Sequence, residues 1–446
     1  MKRTLRSRWR RAVHDGVRRA LGFLPRESRF ALYRALVDCD PHPDPRLSLH
    51  IADTRDDLEA CFALLHDAYV ASGFMTPHPS GLRVTPYHAL PTTTTLCAKF
   101  DGEVVGTLSL IREGVFGFPL QSAFDLSAVR AREGRIAEVS ALAVHPAFRR
   151  TGGAVLFPLM KFMYEYCTRY FDTRHLVIAV NPNKIELYES LLLFQRLPQH
   201  TVDHYDFANG APAVGATLDL QQARLDFQAV YGHKRERKNL HRYFVETRMP
   251  HIELPARPYH TTNDPVMTPQ LLDHFFNRRT QVFESLDLRR RLLLHSIYDL
   301  PEYRDVLPAL PARRPAGLAL RRHQRYSLKC PGRLHLHGWS DAGPFDIDVV
   351  EVSLSGFQAV VPRPLPLDVW GTVSIELGLG VRSTLQVAAV RGVRPGGSCV
   401  YGFRIDEPDA AWRACVAALE SGRTHRDLRA AVTDVPTEPD VRIVMA

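Results

Sequence analysis

No CxxC pair and no His/Cys cluster at metal-ligand spacing occurs in the 446 residues. The seven cysteines (Cys39, Cys61, Cys97, Cys167, Cys330, Cys399 and Cys415) are odd in number and scattered, which argues against a disulfide scaffold and a zinc ribbon. No metal site is expected. No uncharged apolar run approaches the roughly 18 residues of a spanning helix, and no period of about 20 to 50 residues signals a solenoid. The arginine-rich N-terminus lacks the continuous apolar core of a secretory signal, because Arg18 and Arg19 interrupt it. A reduced, cytoplasmic location is the expectation.

Acidic residues are scarce at one end. Residues 1–34 hold eleven basic and two acidic side chains, which accounts for the entire formal net charge of +9. The basic balance therefore describes an arm and not a nucleic-acid-binding chain. Within it Trp9, Val13, Val17, Ala20, Leu21 and Leu24 recur at steps of three and four with arginines between them, and Pro25 ends the pattern. Two readings stand for this amphipathic helix: docking on an anionic membrane surface, or packing on its own protein. A second short helix is expected over Ser28–Val37.

The remaining chain divides by rhythm. The arm runs to residue 45, and residues 46–219 alternate strand and helix patterns: LSLHI, an amphipathic helix Arg55–Val70, a hairpin about Asp101-Gly102, strand Arg135–Val144, helix Gly152–Tyr170, strand His175–Val180, helix Lys184–Leu193 and strand Ala213–Leu218. This is an α/β unit with a mixed central sheet. Residues 220–310 read as a helical appendage, with helices Pro269–Phe283 and Leu286–Tyr298, and 311–320 as a linker. Six short strands and a closing helix then fill 321–424 as an all-β six-stranded barrel, and 425–446 read as a disordered tail.

In the α/β unit a strand runs straight into Arg149-Arg150-Thr151-Gly152-Gly153-Ala154 and then a helix, leaving backbone N–H groups free at a helix N-terminus for phosphate. Arg149-x-x-Gly152-x-Ala154 resembles the pyrophosphate loop of the GCN5-related N-acetyltransferase (GNAT) superfamily. The segment LVIAVNPNKIELYESLLLF resembles that superfamily's fourth helix, with Tyr188 and Phe194 matching and Leu193 standing where a glycine is usual. Residues 67–111 joined to AEVSALAV resemble the FeeM-type N-acyl amino acid synthases, relatives of the acyl-homoserine-lactone synthases.

The resemblance implies a GNAT-like acyltransferase fold and a set of roles. Glu138 is the general base that takes a proton from the acceptor amine, with Ser140 positioned to orient it. Tyr188 serves the departing thiolate, backbone N–H groups near Leu142 and Val144 form the oxyanion site, and Arg149, Arg150, Gly152, Gly153 and Ala154 hold the donor phosphates. Ala141 stands where the family often has arginine. The residues alone leave open a structural role for Glu138, paired with Arg135 or Arg149, and a core role for Tyr188. The donor is acyl carrier protein or a coenzyme A thioester, with no catalytic cofactor. The basic run Lys234–Lys238 is either a steering surface for acidic carrier protein or a solvated helix face.

In the barrel, Arg321-x-x-x-Arg325 precedes the first strand, Arg322 lies beside the pair, and Glu351-x-Ser353-x-x-Gly356 follows about thirty residues on. The pair resembles the RxxxR and [D/N]xSxxG motifs of PilZ domains, which implies binding of cyclic di-GMP by an arginine clamp. Glu351 departs from the usual Asp or Asn. The combined expectation is a peripheral inner-membrane enzyme moving a long-chain acyl group onto a free amino acid under cyclic di-GMP control. The alternatives are a cyclic di-GMP-responsive membrane adaptor with an inactive acyltransferase fold, or an acyl-homoserine-lactone-type signal synthase.

Overall fold

The computed structural model describes residues 24–149, 151–169, 172–255, 259–260, 267–298, 300–311, 325–338, 343–378, 380–393 and 399–420. The expectations placed on residues 1–23, Arg150, most of the 311–320 linker, Arg321, Arg322 and the tail from 421 onward lie outside the described residues.

The chain enters through helix α1 (Arg26–Leu36), strand β1 (Leu47–Ile51) and helix α2 (Arg55–Ser72). Helix α2 starts where the Thr54 side chain accepts the Asp57 N–H and stops where Gly73 adopts φ +76°. Strands β2 (Thr93–Phe100) and β3 (Glu103–Arg112) form the expected hairpin. Its two turn residues, Asp101 and Gly102, both have positive φ, as a tight two-residue turn requires. Strand β4 (Arg135–Val144), helix α3 (Leu156–Arg169), strand β5 (Thr173–Val180), helix α4 (Ile185–Leu191), strands β6 (Gln195–Tyr205) and β7 (Ala211–Asp219) and helix α5 (Leu220–Tyr231) complete the unit.

The seven strands lie in the order β1-β2-β3-β4-β5-β7-β6, antiparallel except for β4 and β5. The period-two pattern works as expected on a sheet covered on both faces. Leu96 and Ala98 of β2 join Leu159, Phe162 and Tyr166 of α3 on one face, whereas Cys97 joins Phe62 of α2 on the other. Residues 220–307 are less an appendage than the missing part of both cores. Phe227, Tyr231 and Tyr243 fill the first, while Phe275, Phe276 and Tyr298 fill the second.

Three boundaries differ from the sequence reading. Helix α3 begins at Leu156 rather than Gly152, because Gly152 and Gly153 take φ +67° and +91°, outside the helical region. The segment expected as one helix over Pro269–Phe283 has one α-turn, Pro269–Leu272, and then wider π-type turns over Asp273–Arg279. Strand β6 went unread because its residues are mostly exposed and polar at the sheet edge, with an irregular register.

The C-terminal unit is the expected closed barrel. Strands β8 (Tyr326–Leu336), β9 (Phe345–Ser353), β10 (Gly356–Val361), β11 (Trp370–Gly378), β12 (Val381–Val393) and β13 (Cys399–Ile405) close in the order β10-β13-β12-β11-β8-β9. Helix α6 (Ala410–Glu420) follows and seats fully buried Trp412 against Phe357. No helix among the described residues is long and apolar enough to cross a membrane.

Candidate active site

The parallel pairing of β4 and β5 covers Arg135 to Glu138 against Thr173 to Val177 and goes no further. Beyond Glu138 the two strands part, and a cavity of about 560 Å³ opens between them. Its walls include Glu138 to Val144 from β4, Ile178 to Val180 from β5, Tyr188 from α4, and Tyr69, Phe74, Tyr205 and Phe207 from the far side. The splay leaves β4 beyond Glu138 without a strand partner on its β5 side. That is the kind of irregular edge a substrate can approach.

Glu138 sits at the vertex of the splay with 2% of its surface exposed. Its Oε2 accepts the Leu120 N–H at 3.0 Å, so the orienting bond comes from a backbone amide in the β3–β4 connection; Ser140 lines the cavity two residues away. Burial pushes the Glu138 carboxyl up to about 8, with the Leu120 amide pulling weakly the other way. Neither Arg135 nor Arg149 holds it. Arg135 reaches the carbonyl of Val350 and the Arg149 Nε donates to the carbonyl of Val144 at 2.8 Å.

Ala141 has φ +55°, and the register between β3 and β4 shifts at Thr107 to Ser109 opposite it. Strand β4 therefore carries a bulge, held at a cost of about 1–2 kcal/mol for a residue with a Cβ. The bulge explains why side-chain alternation fails here: Val139, Ser140, Ala141, Leu142, Ala143 and Val144 all reach the cavity wall. Leu142 and Val144, the expected oxyanion donors, thus stand on the splayed edge.

Tyr188 meets the same cavity from α4, its ring edge-on to Phe194 with centroids 6.0 Å apart. Burial pushes its phenol up to about 12, which keeps the proton on oxygen. Leu193, in the place of the usual glycine, adopts φ +60°. The helix closes there with the Phe194 N–H donating to the Tyr188 carbonyl at 3.2 Å, a left-handed stop that glycine makes more cheaply.

The phosphate loop divides between two places. Arg149 faces the main cavity, whereas Gly152, Gly153 and Ala154 line a neighbouring cavity of about 200 Å³ together with Asp38, Asp40, Asp44 and Arg237. A Cβ on Gly153 would come within 2.5 Å of the Phe157 ring, so that position needs glycine for space as well as for φ. The basic run is partly consumed: Arg237 pairs with Asp38 at 2.7 Å and Asp40 at 2.9 Å, and Lys238 donates to the Ala35 carbonyl. The end of the basic arm is consumed likewise. Arg26 and Arg29 pair with Glu189 and Glu186 at 2.8 and 2.6 Å, and Arg34 donates to the Ser190 carbonyl. Arg26 and Arg29 thus meet carboxylates of α4 in the same chain, and Arg34 a backbone carbonyl of that helix.

In the barrel, Glu351, Ser353 and Gly356 come together at the β9–β10 hairpin. Its turn is Leu354-Ser355, with Ser353 Oγ donating to the Gly356 carbonyl at 2.9 Å. A Cβ on Gly356 would strike the Phe403 carbonyl at 2.4 Å. Arg325 is turned onto this hairpin and pairs with Glu351 at 2.9 Å. Sequence reasoning missed Leu120, Tyr69, Tyr205 and Arg83 around the main cavity, since no spacing rule brings loops and an edge strand to a distant glutamate.

The fold joins an α/β unit, whose mixed sheet splays open around a cavity, to a closed six-stranded barrel. Residues 60–219 match the family described as N-acyl amino acid synthase FeeM, so the chain carries an N-acyltransferase domain of that type. Among solved structures, FeeM, an N-acyl amino acid synthase from uncultured soil microbes, is 25% identical, covering 41% of this chain and 95% of its own, with a TM-score of 0.34. A CoA-dependent acyl-homoserine lactone synthase, BjaI, solved with SAM and isopentyl-CoA, is 21% identical over 41% of this chain and 89% of its own (TM-score 0.33). The PilZ domain of YcgR from Escherichia coli, solved with c-di-GMP, is 16% identical over 26% of this chain and 98% of its own (TM-score 0.20). No curated protein matches the sequence.

Proposed function

We propose that this N-acyltransferase moves a long-chain acyl group from acyl carrier protein or acyl-CoA to the amine of a free amino acid, under the control of cyclic di-GMP at the barrel. The observation that carries the reading is Glu138, a buried carboxyl at the vertex of the β4–β5 splay. A base for an ammonium group works best with a pKa near the operating pH, and a carboxyl raised to about 8 fits that demand.

In this mechanism the thioester lies along the splayed edge of β4. Glu138 takes a proton from the acceptor ammonium, and the freed amine attacks the thioester carbonyl. Backbone N–H groups at Leu142 and Val144 take up the charge on the carbonyl oxygen. The C–S bond then breaks, the Tyr188 hydroxyl donates its hydrogen to the departing thiolate, and the second ammonium proton, left on the new amide nitrogen, passes to the Tyr188 oxygen to restore it. Ser140 lines the path between base and acyl carbon. Arg149 and the Gly152–Ala154 turn hold donor phosphate, with Arg150 as a further cation. An acyl product belongs in a bilayer, which is the rationale for a peripheral location at the inner membrane.

At the barrel, Arg325 with Arg321 and Arg322 clamp the nucleotide while Glu351, Ser353 and Gly356 hold it from the hairpin. Mass spectrometry of lipids from a bacterial host expressing the chain, beside one expressing Glu138→Gln, tests the reading. N-acylated amino acids confined to the first host are expected. Their absence, confirmed in vitro with both donors and cyclic di-GMP, would turn the assignment to an adaptor.

A further inference from the structure

Arg83 lies on the long connection between α2 and β2, half-buried behind the cavity wall that Tyr69 and Phe207 form. Its guanidinium carbon stands 4.0 Å from the Tyr69 ring centroid and 5.0 Å from that of Phe207. Both rings line the cavity. One Nη donates to the Phe207 carbonyl at 2.8 Å, and the other makes a long contact with the Met75 sulfur at 3.9 Å. Among the described residues no carboxylate pairs with it. A guanidinium taken out of water without an anion is costly, and burial bears on Arg83 strongly enough to lower its pKa.

A second orphan stands beside it. Tyr205, 4% exposed and also in the cavity wall, has a hydroxyl buried without a hydrogen-bond partner. Both groups belong to the Glu138 end of the cavity, since Tyr205 lies within the electrostatic reach of Glu138 and of Arg83 alike. Arg149, by contrast, lies beyond the far end of β4, where its Nε donates to the carbonyl of Val144, six residues from Glu138, and where the donor phosphates are assigned. Ala141, the bulge residue of β4 beside Glu138, has no charge to offer.

We propose that Arg83, with the Tyr205 hydroxyl, is the binding site for the carboxylate of the acceptor amino acid, supplied from the α2–β2 connection. The inference rests on the amino-acid acylation proposed above. The α-carboxylate completes the half-buried guanidinium and gives the orphan phenol an acceptor. It also fixes the neighbouring amine toward Glu138, because carboxylate and amine of an α-amino acid are joined through a single carbon. Arg83 is then what separates amino acids from simple amines. The Tyr69 and Phe207 rings on either side keep the fork oriented.

The test uses the purified full chain with dodecanoyl-CoA and with dodecanoyl acyl carrier protein, each offered an equimolar pool of the twenty L-amino acids. The acceptor that is acylated is then compared with its own decarboxylated amine. For Arg83→Met we expect the KM for the amino acid to rise roughly 10- to 100-fold, the worth of a charge-assisted hydrogen bond, with the donor KM within about twofold of wild type. The wild-type preference for acid over amine should collapse. Tyr205→Phe, which keeps the ring, should raise the same KM several-fold and serves if Arg83→Met does not fold. A folded Arg83→Met that keeps the preference overturns the assignment. So does an equal loss for acid and amine, which would make Arg83 a loop lock. No acylated amino acid from wild type with either donor would instead defeat the proposed reaction itself.

Discussion

Arg135 donates a 2.7 Å hydrogen bond to the carbonyl of Val350, tying the strand that bears Glu138 to the barrel strand that bears Glu351. The two strands thus meet one residue from the barrel's motif glutamate and three from the candidate base. Asp172 stands on the same seam: its Oδ1 accepts Lys329 Nζ from β8 at 2.9 Å, and Oδ2 lies 3.9 Å from Arg135. Asp172 and Glu351 both favour the charged form of Arg135 against its burial. A ligand that moves Glu351 acts directly on this contact.

The seam is therefore the route by which the proposed cyclic di-GMP control would reach the transferase. Arg135→Ala removes a hydrogen bond made by a charged donor, worth about 1.5–3 kcal/mol, and leaves every cavity residue in place. The expected outcome is a transfer rate that no longer responds to cyclic di-GMP, with a basal rate within about twofold of wild type. Initial rates with and without the nucleotide check it. An unchanged response would mean that control bypasses the seam.

Glu138 makes a prediction about pH in two measurements. Its carboxyl, raised to about 8 by burial, is protonated at neutral pH and becomes a base as pH rises, so kcat/KM should climb through an acid limb near pH 8. Glu138→Gln should lower kcat by about 10² to 10⁴-fold. Stability follows the opposite course. Between the unfolded carboxyl value and about 8 the native state binds the extra proton, so folding stability falls as pH rises across that window. Gln cannot ionise. The variant should gain on wild type steadily between pH 5 and 8, by a few kcal/mol at the upper end, as read from denaturant unfolding at each pH.

The two loop glycines separate space from backbone conformation. Gly152 has φ +67° with nothing within 4 Å of an added Cβ, so Gly152→Ala should cost about 1–2 kcal/mol through left-handed strain alone. Gly153 has φ +91° and a Cβ there would meet the Phe157 ring at 2.5 Å. Gly153→Ala should cost more, about 3 kcal/mol, and raise the donor KM further because Phe157 lies in the first turns of α3. Urea unfolding and donor titration measure both.

Much of this architecture was legible in the chain, and the failures share a cause. The barrel strands and the β2–β3 hairpin were readable because period-two burial and a Asp101-Gly102 turn are local signals. The resemblance drew attention to Glu138, Tyr188 and the glycine turn, of which Glu138 and Tyr188 line one cavity and the glycines its neighbour. The bulge at Ala141 was not, since alanine carries no sign of a positive φ. Leu120, Tyr205 and Arg83 were not, because tertiary packing from a loop or an exposed edge strand brings each to the cavity wall or to a residue that lines it. The ion pairs of Arg26 and Arg29 with Glu189 and Glu186 were not legible either, because the paired residues of α1 and α4 lie 163 and 157 residues apart in the chain.

Glu351 gives the last prediction. It holds Arg325 in an ion pair at 2.9 Å, with 31% of the arginine and 26% of the glutamate side chain exposed. In the proposed binding mode cyclic di-GMP takes that guanidinium for its own guanine and phosphate, and binding first breaks the pair. Pairs this exposed are worth about 0.2–1 kcal/mol, and the shorter family residue would leave Arg325 free while keeping an amide for the base. Glu351→Asn should therefore bind cyclic di-GMP roughly two- to fivefold more tightly than wild type, with the difference shrinking as salt weakens the native pair. Isothermal titration at two ionic strengths reads both effects. Weaker binding by the Asn variant would show instead that the Glu351 carboxylate itself contacts the nucleotide.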